Sequence, residues 1–226
     1  MRYFYGKANH FLLPQIQSTV YIGVITKFID SDMSFSFVNS IANGKTLFVG
    51  EGNFSFCLSI AKQMRYPSNI IATTFERQDE FSNFTQANVS KLQSLGVRVF
   101  CNSDATKIHN GFAECRFNNI IFQFPHTGSR EPIEGRNPNF ILLRDFLKSA
   151  KPLLLFGGKV IITVVDSPYY QGAFQLKEAG KTAGYSKVTG YNFNPLHFPN
   201  YIHTMTNEDE SAISQNDELM TVVFEV

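Results

Sequence analysis

A glycine-containing segment after a short strand-like stretch is the part of this sequence best suited to hold a ligand. Thr46–Val49 has the composition of a strand, and Gly-Glu-Gly-Asn-Phe follows at residues 50–54. Apolar residues then recur at the three- and four-residue spacing of a helix: Phe54, Cys57, Leu58 and Ala61. A strand, a glycine turn and a helix in this order bring backbone close to a nucleotide-like ligand, although many such segments are only tight turns.

The absence of a third glycine restricts the class of ligand that this glycine loop can bind. The dinucleotide-binding fingerprint has a further glycine where this chain has Phe54-Ser55. A pyrophosphate cradle is therefore disfavoured, and the loop suits a cofactor without a pyrophosphate, such as S-adenosylmethionine. The loop residues predicted to bind this cofactor are Gly50, Glu51, Gly52, Asn53 and Phe54.

Acidic residues follow the next two predicted strands. Glu76 lies 24 residues after Gly52, close to the separation at which a carboxylate accepts hydrogen bonds from ribose hydroxyls. The alternative is an exposed glutamate at a strand end. Asp104, followed by Ala105, could accept a hydrogen bond from an adenine amino group or cap a helix, and the two roles are compatible.

A polar and aromatic turn follows the fourth predicted strand and is the candidate catalytic segment, Gln123, Phe124, Pro125 and His126. An amide can hydrogen-bond the edge of a planar base, a ring can stack on its face, and proline stiffens the turn. This combination suits methyl transfer to a base nitrogen. The alternative is a proline-terminated strand before a loop, and His126 could be a base, a stacking partner or a surface histidine.

Composition restricts the class of protein. With 226 residues, of which 43% are hydrophobic and 17% charged, the chain has the size of one α/β domain with a full core. A net charge of +1 does not indicate a general nucleic-acid binder, so a nucleic-acid substrate would have to bind through a local patch. The three cysteines form no CxxC pair, and neither a disulfide framework nor a metal site is expected.

The sequence also carries expectations about location. No apolar run reaches the roughly 18 residues that span a bilayer. Pro14 and polar residues interrupt the N-terminal apolar stretch, so no signal peptide is expected. We therefore expect no membrane partner and an intracellular, cytoplasmic protein.

Strand and helix patterns alternate from Lys45 onward and predict the scaffold of these sites. The predicted strands are Thr46–Val49, Asn69–Phe75, Val97–Asn102, Asn118–Phe124, Lys159–Val165, Lys187–Phe193 and Leu219–Val226. The predicted helices are Phe54–Met64, residues 81–95, Asn139–Ala150 and Gln171–Ala183. This order predicts a parallel sheet with right-handed crossovers, whose ligand site lies beyond the carboxyl ends of the strands.

Residues 1–43 do not follow the repeating pattern and are predicted to be an N-terminal extension. Thr19–Phe28 is β-branched and apolar, and Met33–Val38 partly alternates. The extension could therefore form a β-hairpin. Residues 44–226 then make one Rossmann-like domain.

Four motifs in this order resemble the Rossmann-like methyltransferases that modify uridine N3 in large-subunit ribosomal RNA. The matching segments are Gly50 to Phe56, Thr73 to Glu76, Asp104-Ala105-Thr106, and Phe124-Pro125-His126-Thr127-Gly128. The helix from Asn139 to Phe146, the step Pro168-Tyr169 and the segment Phe198-Pro199-Asn200-Tyr201 are also similar. The resemblance covers roughly residues 45–205. Gln123 stands where the family has Asn, and Ser129 replaces a second Gly.

The resemblance implies an α/β fold of class I methyltransferase type, a seven-stranded, mostly parallel sheet with helices on both faces and an antiparallel last strand. It implies S-adenosylmethionine as cofactor and methylation of uridine N3 in RNA, in particular ribosomal RNA. His126 is then the predicted acceptor of the imide proton, with Asp166 as second choice. The remaining predicted substrate contacts are Arg130 and Arg136 to phosphate and Tyr169 as a stacking face.

Two alternatives stay open from the sequence. A binding module could keep the fold and the cofactor pocket but lack turnover, and Gln123 is the residue that favours this interpretation. A nicotinamide-dependent oxidoreductase would use the same strand–turn–helix unit, although the absent third glycine disfavours it.

Overall fold

The predicted strands form one sheet. The computed structural model describes residues 35–129, 131–166, 172–203 and 218–226. The strands are β1 (Thr46–Val49), β2 (Ile70–Thr73), β3 (Arg98–Phe100), β4 (Phe117–Gln123), β5 (Leu154–Asp166), β6 (Lys187–Asn192) and β7 (Glu218–Glu225). The helices are α1 (Phe37–Ile41), α2 (Ser55–Ala61), α3 (Asn83–Ser94), α4 (Ile108–Gly111), α5 (Pro138–Ala150) and α6 (Leu176–Thr182).

The spatial order of the strands is β3-β2-β1-β4-β5-β7-β6. β1 to β5 pair in parallel, whereas β7 runs antiparallel to both β5 and β6. The β5–β7 ladder extends from Lys159 opposite Glu225 to Asp166 opposite Glu218. The seven-stranded, mostly parallel sheet with an antiparallel last strand is therefore confirmed.

Helices cover both faces of the sheet, as the apolar strands require. All four residues of β1 are buried, and its three apolar residues alternate between two apolar clusters. Leu47 and Val49 join the cluster that α5 completes, where the rings of Phe122 and Phe146 lie 4.9 Å apart. Phe48 faces the opposite cluster, which α2 completes.

The described part of the predicted extension forms a short helix. Ser36 caps α1 by accepting a hydrogen bond from the Asn39 N–H at 3.3 Å, and Phe37 and Ile41 are buried against the α2 side of the sheet. Within the stretch Met33–Val38, the structure thus has a helix start at residue 37. The remainder of the possible hairpin, residues 1–34, lies outside the described residues.

Several elements differ from the sequence prediction. α6 begins at Leu176, five residues after the predicted start at Gln171. β5 begins at Leu154, five residues before the predicted start, and its pairing with β4 shifts register between Phe117 and Asn119. Gly157, with φ of 73°, belongs to this irregular start and interrupts the apolar pattern. The 3₁₀ turn Ala105–Lys107 and α4 fill the connection to β4, for which the sequence predicted only a possible helix cap at Asp104.

Candidate active site

Gly50 makes the turn after β1 possible. Its φ is 66°, and a Cβ atom at this position would lie 2.3 Å from Cε2 of Phe122 on β4. The Glu51 N–H then donates to the Thr73 carbonyl at the end of β2 at 2.9 Å. The chain therefore turns tightly between two strand ends at the carboxyl edge of the sheet, the edge at which ligands bind in such folds.

The Glu51 side chain turns inward and stabilises the start of α2. It is 5% exposed, and its Oε2 accepts a hydrogen bond from the Cys57 N–H at 3.1 Å. A carboxylate here satisfies one of the free N–H groups of the first helical turn. Burial nevertheless dominates and raises the pKa of Glu51 to about 7, although the Cys57 bond acts to lower it.

A Glu51→Gln variant should lose a specific part of the pH dependence of stability. Between the ordinary pKa of 4.5 and about 7, the unfolded carboxyl ionises while the folded one keeps its proton. The free energy of unfolding of the wild type should thus fall as pH rises through this window, by up to about 3 kcal/mol. Gln keeps the acceptor for Cys57 but cannot ionise. Urea unfolding at pH 5 and pH 8 would measure the difference, and parallel pH dependences of the two proteins would contradict the prediction.

Asn53 and Ser55 hold a distant segment against the glycine turn. The Asn53 Nδ2 donates to the Ile202 carbonyl at 2.9 Å, and its Oδ1 accepts from the Ser55 N–H at 3.0 Å. The Ser55 hydroxyl donates to the same carbonyl and accepts from the Ile202 N–H, both at 3.0 Å. The Asn53 side chain thus contacts the protein's own backbone at the place where the sequence predicted a cofactor contact.

Phe54 has a left-handed backbone and a buried ring. Its φ is 60°, which is unusual for a bulky residue, and its side chain is fully buried. The ring packs edge-on against Phe81 with centroids 6.0 Å apart. Phe54 therefore anchors the loop to the core, so that any cofactor contact from it comes through the backbone.

Glu76 lies at the end of β2 with its carboxylate available. No described residue donates a hydrogen bond to this carboxylate, although the backbone is fixed by Thr74 Oγ1 at 3.2 Å and by the Asn102 N–H at 3.0 Å. Burial, together with the nearby Glu80 carboxylate, raises its pKa. A half-buried acid on a fixed backbone fits the predicted ribose contact, because two hydroxyl donors would satisfy its oxygens.

A Glu76→Ala variant should bind S-adenosylmethionine with a free energy less favourable by about 1.5–3 kcal/mol, which is the range for a hydrogen bond to a charged group. Isothermal titration calorimetry measures this affinity directly. Glu80→Gln is a matched control, since Glu80 is exposed and accepts a bond from the Arg77 N–H. A folded Glu76→Ala protein with wild-type affinity would identify Glu76 as an ordinary exposed acid.

Asp104 caps the 3₁₀ turn after β3. Its Oδ1 accepts from the Thr106 N–H at 2.9 Å and from the Thr106 hydroxyl at 2.7 Å, and Lys107 lies 3.6 Å from Oδ2. Burial acts to raise the pKa of Asp104, but the Thr106 bonds and Lys107 outweigh it and the pKa is lowered. The capping role is confirmed. An adenine contact from Asp104 or the buried Ala105 stays a prediction.

The turn after β4 contains an unsatisfied amide. Both Nε2 and Oε1 of Gln123 are buried, and neither has a hydrogen-bond partner among the described residues. Burying such a group without a partner costs roughly 1–3 kcal/mol. A ligand with one donor and one acceptor would satisfy it, and Gln123 sits at the carboxyl end of the central strand β4 where ligands bind.

Phe124 and His126 complete this turn. Phe124 has a φ of 48°, and its ring lies edge-on to Phe193 at 5.8 Å. His126 is exposed, and its Nδ1 accepts a hydrogen bond from the Gly128 N–H at 2.8 Å. While this bond is made, the neutral ring carries its proton on Nε2. Pro125 between them is buried.

Two site residues were not predicted from the sequence, Tyr201 and His203. The His203 ring lies 4.6 Å from the Phe124 ring, and its Nδ1 is 3.1 Å from the Tyr201 hydroxyl. Burial lowers the pKa of His203 to about 4. Burial and the Glu51 carboxylate raise the pKa of Tyr201. Their separation of nearly 80 residues from β4 hides this proximity in the sequence.

Of the predicted substrate contacts, Arg136 lies within the described residues. Arg136 forms an ion pair with Glu178 at 3.1 Å, bonds Gln175 at 3.3 Å and lies over the Phe140 ring. It therefore joins the loop after β4 to α6, and a phosphate would have to compete with Glu178. Arg130 and Tyr169 lie outside the described residues.

Two kinds of feature are absent from the described ranges. They contain no cluster of three or more His, Cys, Asp or Glu side chains able to hold a metal ion. None of their helices combines the length and apolar character needed to cross a membrane.

The strand order, the glycine turn and the acid at the end of β2 define a class I S-adenosylmethionine-dependent methyltransferase. Among solved structures, a precorrin-6y C5,15-methyltransferase from Geobacter metallireducens shares this fold, with a TM-score of 0.51 at 13% identity, over 84% of this chain and 85% of that one. The chain belongs to the BMT5-like family, described as rRNA (uridine-N3-)-methyltransferase BTM5-like, which matches residues 47–205.

Two relatives illustrate this membership. An uncharacterized Arabidopsis thaliana protein, At4g26485, is 33% identical over 171 residues, which cover 70% of this chain and 80% of the relative. The Saccharomyces cerevisiae 25S rRNA (uridine(2634)-N(3))-methyltransferase is 24% identical over 223 residues, covering 72% of this chain and 66% of the yeast protein. The predicted family, methyltransferase activity and methyl donor are confirmed, and neither a non-catalytic module nor an oxidoreductase is favoured.

Proposed function

We propose that this enzyme methylates N3 of a uridine in ribosomal RNA, with the target base held at the turn Gln123–His126. The observation that carries this proposal is the buried Gln123 amide, which no described residue satisfies. A uracil carbonyl oxygen is the complementary acceptor for the Nε2 donor of such an amide. The family description and the yeast relative's name support the choice of base and RNA.

The residues at the strand ends have separate roles in binding the cofactor and the target base. Bound S-adenosylmethionine supplies an activated methyl group, so the protein contributes mainly position and alignment. Gly50 opens the loop above β1, and Glu76 would hold the ribose hydroxyls. Gln123 and Phe124 would fix the edge and the face of the uracil, which must be unpaired or flipped out for N3 to be reached.

His126 is our proposed acceptor of the imide proton. It is exposed on the same turn as Gln123 and Phe124. Its Nε2 can accept a proton only in the tautomer that carries hydrogen on Nδ1, and that tautomer gives up the bond from Gly128. We therefore expect the His126–Gly128 bond to break when RNA binds. Arg130, Tyr169 and, after exchange of its Glu178 partner, Arg136 would contact the RNA around the base.

A Phe124→Ala variant should weaken RNA binding more than cofactor binding. Loss of a stacked base costs roughly 1–3 kcal/mol, whereas the cofactor loop lies on β1 and β2. Filter binding of an rRNA fragment and calorimetry of S-adenosylmethionine give the two affinities. An equal loss of both would show that the ring supports the site instead of stacking on the base.

Nucleoside mass spectrometry tests the function itself. Purified protein, unmodified ribosomal RNA and isotopically labelled S-adenosylmethionine should yield labelled 3-methyluridine, separable from 5-methyluridine and 2′-O-methyluridine standards. A Gly52→Val protein, with a branched side chain in the cofactor loop, serves as the inactive control. Label in a different nucleoside, or RNA equally modified in cells with and without the gene, would refute the proposal.

The place of action follows from the substrate. If the target is ribosomal RNA, the enzyme acts during ribosome biogenesis, in the cytoplasm or, in a eukaryotic cell, in the nucleolus. Imaging of a tagged protein at native expression tests this, and a membrane location would contradict it.

A further inference from the structure

The segment Phe198–His203 is fastened to the cofactor loop and reaches the target-base turn. Ser55 and Asn53 bond the Ile202 backbone, as described above. The Phe198 and Tyr201 rings pack against Phe56 of α2, with centroids 4.8 and 5.3 Å away. Because both its backbone and its rings are held, this segment has one defined position relative to β1 and β4.

His203 meets the base site at the end of this segment. Its ring lies against Phe124, the proposed stacking face, with an interplanar angle of 67°. Nδ1 is engaged by the Tyr201 hydroxyl at 3.1 Å. Within the described ranges Nε2 has no hydrogen-bond partner, so it is the ring nitrogen left for a ligand.

We propose that His203 is a further catalytic residue, whose Nε2–H donates a hydrogen bond to a carbonyl oxygen of the target uracil. The inference rests on the proposed function. His203 is assigned by its contact with Phe124 and by the Tyr201 bond at Nδ1, which leave Nε2 as the ring nitrogen for a base that stacks on Phe124.

The protonation states of the pair fit this donor role. Burial lowers the pKa of His203 to about 4, so the imidazole is neutral near pH 7. The raised pKa of Tyr201 keeps its hydroxyl protonated. A protonated phenol can donate to Nδ1, and a neutral imidazole that accepts at Nδ1 carries its hydrogen on Nε2. Tyr201 is thus a positioning residue that fixes the tautomer of His203.

A neutral donor at this place would stabilise the transition state. The N3–H bond breaks as its proton moves to His126, the proposed proton acceptor. The electron pair left on N3 is delocalised onto the two carbonyl oxygens of the uracil ring. The N3–methyl bond then forms as the methyl–sulfur bond breaks. A fixed donor aimed at the carbonyl where charge develops lowers the barrier, and loss of one such donor typically costs 10²–10³-fold in rate.

Two substitutions of His203 separate this role from a packing role. In His203→Gln the amide N–H can reach the position of Nε2, whereas in His203→Asn the amide can keep only the Tyr201 contact at the position of Nδ1. We expect kcat to fall by about 10²-fold in His203→Asn and by less than tenfold in His203→Gln. S-adenosylmethionine affinity and melting temperature should stay near wild type in both. Tyr201→Phe keeps the ring against Phe56, and its kcat should lie between those of His203→Gln and His203→Asn.

Substrate acidity provides a second readout. A transcript made with 5-fluorouridine has a more acidic imide and needs less stabilisation of the developing charge. The rate deficit of His203→Asn should therefore shrink on this RNA. The inference is overturned if His203→Asn is as active as wild type, if His203→Gln is as slow as His203→Asn, or if the deficit is the same on both RNAs. A wild-type enzyme that forms no 3-methyluridine in the same assay would instead refute the proposed function.

Discussion

A Gln123→Leu protein is expected to unfold at higher denaturant concentration than the wild type and to turn over at least 100-fold more slowly. Leu has nearly the volume of Gln and removes the two buried polar atoms that no described residue bonds. Relief of an unsatisfied buried group stabilises a protein by roughly 1–3 kcal/mol. Loss of a group that orients the reacting base costs about 10²–10³ in kcat.

The opposite signs of the two effects make this variant informative. When a residue that only supports the fold is replaced, the protein loses stability and activity together. When an amide that binds a ligand is replaced by an apolar residue, the protein loses activity but gains stability. Gln123→Asn is the matched control, because it keeps the amide one methylene shorter and places the family's residue there. Urea unfolding and methyl transfer to ribosomal RNA are the measurements. A less stable Gln123→Leu protein with unaltered kcat would show that Gln123 has a structural role.

A His126→Ala protein should lose 10²–10⁴-fold in kcat while S-adenosylmethionine binding is unchanged, because a positioned general base contributes about this factor. The side chain is exposed, and its Nδ1 accepts a hydrogen bond from the Gly128 N–H within the same turn. The melting temperature of the variant checks that its fold is intact. Imidazole added to the buffer should restore part of the rate if the lost function is proton transfer. His197→Ala is the control, since His197 is an exposed histidine in the Pro195–His197 turn.

Two results would contradict the base role of His126. A small loss that higher RNA concentration restores would indicate that the ring only stacks on the RNA. Equal kcat of His126→Ala and wild type would leave the second choice, Asp166 at the end of β5, as the proton acceptor to test.

The scaffold was predictable because its signals are local. Continuous apolar runs predicted the buried strands β1, β4 and β5, and the Gly-x-Gly spacing predicted the turn at Gly50, where a side chain would collide with Phe122. Strand ends in a parallel sheet converge, so Glu76 and Gln123 could be placed at one edge from chain order alone.

The rest depends on the direction of individual side chains and on contacts between residues far apart in sequence. No local pattern indicates that the Glu51 carboxyl turns into the start of α2, since that depends on the buried Cys57 N–H. Similarly, His203 gains its role only because Asn53 and Ser55, some 150 residues earlier, hold the Ile202 backbone. The phosphate contact predicted for Arg136 has a competitor, Glu178 on α6, that lies too far along the chain to be recognised from the sequence.

The position of β7 in the sheet has a consequence for synthesis on the ribosome. β7 lies between β5 and β6, so neither of these earlier strands has its neighbour on that side until residues 218–225 are made. Until then β5 presents an apolar edge with unpaired backbone groups, a surface that readily joins to other chains. Nascent chains that stall after β6 should therefore aggregate or require a chaperone. The seven-stranded sheet can be completed only after β7 has been translated.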